Sequence, residues 1–153
     1  MKKCGLLILI LFAQSCYAQT KGLKQVKIVV EDLNEQTQST GLSESEIKSV
    51  VLVALKRDMP KLQVSSDAVS YVYVNINCLS VPPSGRVCNL IVDLHRPVMV
   101  LDEDGSPIQR DMTAVWTRSM LLTNEVSAMG QSLRDSINRL LTMLAADYYS
   151  ENQ

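Results

Sequence analysis

The chain has 153 residues, with 15 basic and 16 acidic side chains, a net charge of −1, one histidine and four cysteines. No basic face is concentrated anywhere, which argues against a nucleic-acid binder, and a single histidine excludes zinc sites built from several. The length suits one domain.

The chain opens with Met-Lys-Lys, then an uncharged run from Leu6 to Phe12, then small and polar residues to Ala18. A positive start, a short apolar stretch and a small-residue cleavage site make a secretory signal. The apolar run is far shorter than the ~20 residues a membrane-spanning helix needs. Cleavage after Cys16-Tyr17-Ala18 is the reading adopted, with residues 1–18 as a removable signal and 19–153 as a single α+β domain. The alternative is a lipid anchor on Cys16, against which stands the poor lead-in Ala13-Gln14-Ser15. The protein is therefore expected in the periplasm or secreted, with no membrane span after cleavage. Loss of Lys2 and Lys3 makes the remaining chain more acidic, and only Cys78 and Cys88 stay. An even pair in an exported chain points to a disulfide.

After a short polar lead, Lys24 to Leu33 predicts a strand, with Val26, Ile28 and Val30 on one face. Asn34 to Thr40 is polar and reads as a loop. A helix then starts at Ser43, whose side chain and Glu46 form a capping box, with Leu42 and Ile47 as a hydrophobic staple. Its apolar stripe is Ile47, Val50, Val51, Ala54 and Leu55, widened by Leu52 and Val53. Pro60 ends it.

From Val69 to Val81 the residues alternate. Val72, Val74, Ile76 and Cys78 share one face; Tyr71, Tyr73, Asn75 and Asn77 share the other. From Val87 the alternation resumes, with Cys88, Leu90, Val92 and Leu94 against Asn89, Ile91, Asp93 and His95. Pro82-Pro83-Ser84-Gly85 between them has turn composition. A hairpin folded at Pro83 opposes Cys78 to Cys88, Ile76 to Leu90, Val74 to Val92 and Val72 to Leu94. Every pair on that face is then apolar, and a one-residue slip would mismatch the faces. The cysteines fall opposite each other in this register, so a Cys78–Cys88 bridge is expected.

Pro97 is expected to limit the second strand or to mark an edge or bulge. Residues 102–107 read as a polar turn, Ala114 to Thr123 as a third strand of this group, and about Gln131 to Tyr149 as the last helix. Its buried stripe is Leu133, Ile137, Leu140, Leu141, Leu144 and Tyr148. The phase of Trp116 fits either face of the sheet. The order strand-helix-strand-strand-strand-helix, with one strongly aliphatic sheet face, implies a two-layer sandwich: both helices on one face of a mostly antiparallel sheet, the other face open.

Catalytic motifs are weak. Ser45-Glu46-Ile47-Lys48 has the Ser-x-x-Lys spacing of penicillin-recognising enzymes, without their partner motifs, and lies inside a capping sequence. Asp102-Glu103-Asp104-Gly105 starts like a calcium loop but runs into Pro107 and Ile108 where ligands would be needed. Asp93 and His95 are alternate residues of one strand, which does not by itself orient them as a catalytic pair. No catalytic residue, metal ligand or cofactor is assigned. The candidate site is a surface: Tyr71, Tyr73, Asn75, Asn77, Asp93 and His95, with Asn89, on the open sheet face, where Tyr and Asn give amphipathic contact area.

Val29-Val30-Glu31-Asp32-Leu33, Gly41-Leu42 before a helix, Tyr71 to Asn77, Trp116-Thr117 and a C-terminal helix ending near Asp147-Tyr148 together resemble a widespread group of small exported bacterial proteins. The resemblance spans nearly all the chain after residue 18 and names no chemistry; the cysteine pair is not a general feature of the group. The element order is also similar to that of the outer-membrane lipoprotein subunit of lipopolysaccharide transport, by analogy of architecture alone. The expected function is a non-enzymatic periplasmic binding or envelope-assembly accessory module that uses the open face or a sheet edge. Its partner would be an envelope protein or a small ligand. The alternatives are a small hydrolase and an envelope structural or stress protein that self-associates through an uncovered edge, so a homo-oligomer belongs among the expectations.

Overall fold

The structure, a computed structural model, describes residues 20–152. The expected signal segment, and Cys16 with it, lies outside these residues.

Alternation of apolar and polar residues builds the sheet. β1 (Gln25–Val30) is followed by a one-turn helix α1 (Glu35–Gln38), the long helix α2 (Glu44–Asp58) and a two-residue strand β2 (Gln63–Val64). Then come three long strands, β3 (Tyr71–Val81), β4 (Gly85–Leu101) and β5 (Pro107–Glu125), and the closing helix α3 (Val126–Glu151). The strand order is β2-β1-β3-β4-β5. β1 runs parallel to both its neighbours, while β3–β4 and β4–β5 are antiparallel. The fold is α+β, a mostly antiparallel open sheet with its helices layered on one face.

The expected hairpin register is the observed one: Cys78 opposes Cys88, Ile76 opposes Leu90, Val74 opposes Val92 and Val72 opposes Leu94. The two sulfurs are bonded, with Cα atoms 4.0 Å apart. This face is covered by Ile47, Val51 and Leu55 of α2 and by Leu133, Ile137, Leu140 and Leu144 of α3, all buried in one cluster. Each such side chain, moved from water into the core, contributes roughly 1.5–3 kcal/mol. α2 begins as its sequence dictates, with Ser43 accepting from the Glu46 N–H and Glu46 accepting from the Ser43 N–H. Thr20 donates from both N and Oγ1 to Glu151 Oε2, at 2.5 and 2.6 Å, so the start of the described chain is clasped to the end of α3.

Four expectations need correction. Residues 34–40 are not simply a loop: α1 forms there, capped by Asn34, whose Oδ1 accepts from the Thr37 N–H at 2.8 Å, and anchored by buried Thr37 on the Ile76 carbonyl. α3 starts at Val126 rather than near Gln131, and Gly130 lies within its first turns. It sits where a Cβ would come within 2.4 Å of the Thr40 carbonyl oxygen, so glycine is the residue that permits the approach. β5 starts at Pro107, not Ala114. Pro97 does not end β4, which continues to Leu101. β3 stops opposite His95, so Pro97 lies where one side of β4 has no neighbour to receive a hydrogen bond. Beyond that point β4 and β5 form a two-stranded arm. A bulge between Leu94 and His95 marks its base.

Candidate functional site

The helix layer leaves the opposite sheet face uncovered. Strand alternation sends Tyr71, Tyr73, Asn75 and Asn77 of β3 to that face, opposite His95, Asp93, Ile91 and Asn89 of β4. Lys27 on β1 lies beside Tyr71, and Glu31, which continues β1 by donating its N–H to the Val74 carbonyl, lies beyond Tyr73. All seven residues expected at the open face are therefore on it.

Tyr71, Tyr73, Asp93 and His95 form one cluster. The Tyr71 and His95 rings stack, with centroids 4.6 Å apart and planes 7° from parallel. Tyr73 meets the same imidazole edge-on at 5.9 Å. The Lys27 ammonium lies 5.8 Å from the Tyr71 ring centre, within range of a cation–π attraction. His95 Nε2 and Asp93 Oδ2 are 3.7 Å apart, close enough for attraction but too far for a hydrogen bond. Asp93 Oδ1 and His95 Nδ1 are buried and have no hydrogen-bond partner among the described residues.

Asn75 and Asn77 belong to a directed chain of hydrogen bonds along β3. Asn77 Nδ2 donates to Asn75 Oδ1 at 2.6 Å, Asn75 Nδ2 donates to Tyr73 Oη at 3.4 Å, and the Tyr73 hydroxyl donates to Glu31 Oε2. The chain fixes the orientation of both amides. The bond to Glu31, with burial and the nearby Glu31 and Asp93 charges, pushes the Tyr73 phenol above its ordinary range. Asn89 is exposed across from Asn77.

The same face has an apolar half that sequence reasoning missed. Leu79 and Leu121 are 69% and 72% exposed, and Val81 is exposed beside them. Their signal was present in the chain: Leu79 and Val81 continue the phase of Tyr71 to Asn77.

Trp116 points to the helix layer, where its indole N–H donates to Asp147 Oδ2 at 2.8 Å. Ser45 and Lys48 are not joined. The Lys48 ammonium pairs with Glu44, and Ser45 Oγ lies 3.0 Å from Ser43 Oγ. Asp102 closes the arm's turn by accepting from the Asp104 and Ser106 N–H groups. Among the described residues no three His, Cys, Asp or Glu side chains converge to hold a metal ion. Nor is any helix there long and apolar enough to cross a membrane.

No family model matches the chain, and no curated protein matches it. Solved structures do resemble it. A PelC dodecamer from Paraburkholderia phytofirmans superposes with a TM-score of 0.42 at 10% identity, covering 83% of this chain and 86% of that one. A minor lipoprotein from Acinetobacter baumannii superposes with a TM-score of 0.39 at 13% identity, covering 84% and 92%. At these identities the likeness concerns the course of the chain alone.

Proposed function

We propose that this chain is a non-enzymatic binding module of the bacterial cell envelope, exported by its N-terminal signal segment, and that the open sheet face is where it binds. The observation that carries the reading is the Tyr71–His95–Tyr73 cluster with the Asn77–Asn75–Tyr73–Glu31 relay beside it. These side chains are held by one another, so a partner meets aromatic surface and amide groups already oriented, with little rotamer entropy left to lose. The adjoining Leu79 and Leu121 add apolar contact area. Catalysis is disfavoured because Ser45 and Lys48 are engaged by other neighbours and Asp93 does not orient His95 by a hydrogen bond.

The test recovers the protein from the envelope of cells that make it. Wild type should co-purify with a partner or ligand at constant stoichiometry. The Tyr71→Ala/Asn77→Asp variant should melt within a few degrees of wild type and lose the partner. Undiminished recovery by that variant would sink the proposal.

A further inference from the structure

Thr20 is buried, and the chain from Thr20 to Gly22 is fastened to the end of α3. Thr20 N, Thr20 Oγ1 and Lys21 N donate to Glu151 Oε2 at 2.5, 2.6 and 3.1 Å, and Gly22 N donates to Asn152 Oδ1 at 2.9 Å. Asn152 Nδ2 donates in return to the Thr20 carbonyl at 3.3 Å, and Arg96 Nη1 donates to the Lys21 carbonyl at 3.0 Å. We propose that this clasp closes the signal-cleavage site, so that the signal segment must be removed before Thr20 docks on α3. The inference rests on the reading of residues 1–18 as a removable signal and does not depend on the open face.

A peptidase takes its substrate as an extended segment with free backbone on both sides of the bond it cuts. A folded chain offers such a segment only by opening locally. The expected bond, Ala18–Gln19, stands two residues before Thr20. An extended chain spans at most ~3.6 Å per residue, so covalent geometry alone keeps that bond within about 7 Å of the buried Thr20. Thr20 would be the second residue on the far side of the cut. Its N–H is held by Glu151, and its carbonyl accepts from Asn152 and from the Leu23 N–H. Neither group is left for a peptidase to pair with while the clasp is closed.

The two halves of the clasp are 131 residues apart in sequence. In a chain exported from its N-terminus, Thr20 emerges long before Glu151 and Asn152 do. The cleavage bond is therefore open through most of the passage and closes when the end of α3 arrives and packs. That packing is part of the core itself: Leu141, Leu144 and Tyr148 are buried in the common cluster, and the Tyr148 hydroxyl donates to the Leu23 carbonyl at 3.3 Å. The clasp thus couples the cleavage site to completion of the fold. A chain that folds with its signal still attached is held in the precursor form, and its cleavage follows the fraction of time the clasp is open.

The experiment uses the full chain, residues 1–153, refolded in detergent micelles and mixed with purified bacterial signal peptidase. Wild type is compared with Glu151→Ala/Asn152→Ala and with a form carrying Gly-Ser-Gly-Ser-Gly-Ser inserted between Gln19 and Thr20. The insertion leaves the clasp intact and lets the bond stand up to about 20 Å further from it. A product beginning at Gln19, identified by its intact mass, should form about tenfold or more faster from both altered forms than from wild type, with circular dichroism unchanged. Equal rates for wild type and the insertion would overturn the proposal and leave the signal reading standing, as would a double variant that stays as slow as wild type. No product beginning at Gln19 from any of the three would overturn the signal reading, and the proposal with it.

Discussion

Tyr73 shows how one hydroxyl ties the open face together. It accepts from Asn75, donates to Glu31 and lays its ring edge against His95. Its raised pKa comes first from the Glu31 hydrogen bond, which only the protonated phenol can donate. The stability linked to this bond is fully present below the ordinary phenol value of ~10 and is lost as pH rises through the higher folded value. The difference between the alkaline absorbance titrations of wild type and Tyr73→Phe should therefore show Tyr73 ionising above the ordinary phenol value, and Glu31→Gln should bring it back. A Tyr73 that ionises at the ordinary value in wild type would show that the hydrogen bond does not exist in solution. Glu46 has the opposite sign. The Ser43 N–H, then the Ser43 hydroxyl, hold its carboxyl below the usual range. Its contribution is present above ~4.3 and fades as pH falls through the lower folded value. Ser43→Ala removes the hydroxyl that caps the Glu46 N–H and should cost about 1 kcal/mol in chemical denaturation.

Elements differed in how readable they were. The β3–β4 hairpin was plain because eight residues of strict alternation, Tyr71 to Cys78, leave one register, and the cysteines agreed with it. Replacing Cys78 and Cys88 together by Ser should leave the fold intact and cost roughly 2–3 kcal/mol, since the closed loop is short. The capping box made the start of α2 equally plain. α1 and β2 were illegible because four and two residues carry no periodicity. Their reasons are tertiary: Asn34 and Thr37 bond to β3 carbonyls, and Gln63 and Ser65 donate to β1 and the residue before it. The arm was hidden by Pro97, whose effect depends on β3 having already stopped. The first turn of α3, before Gln131, was missed as well, and it contains Gly130. On an exposed helix Gly→Ala would add up to about 1 kcal/mol of helix stability. Here the Thr40 carbonyl occupies the space a methyl would need, so Gly130→Ala should destabilise by about 1–3 kcal/mol despite the better propensity. A rise in melting temperature would show that α3 and the α1 turn can move apart.

The assembled chain separates its tasks by face. The helix side holds the stability: a continuous aliphatic cluster, the disulfide and the Trp116–Asp147 hydrogen bond. The open side holds side chains that contribute little to the core yet are fixed in place. That division was partly legible in the sequence, since Tyr71 to Asn77 and Asp93 to His95 alternate out of the aliphatic face. Their mutual contacts were not legible, because stacking of Tyr71 on His95 and the reach of Tyr73 to Glu31 join three strands that only the topology brings together. The most direct test of the open face as the binding surface is site-specific photo-crosslinking in cells that make the protein. A photoreactive side chain would replace Asn77 in one strain and Val53, exposed on the outer side of α2, in another. The account predicts a discrete adduct from Asn77 and none from Val53. A discrete adduct from Val53 alone would place binding on the helix layer and contradict it.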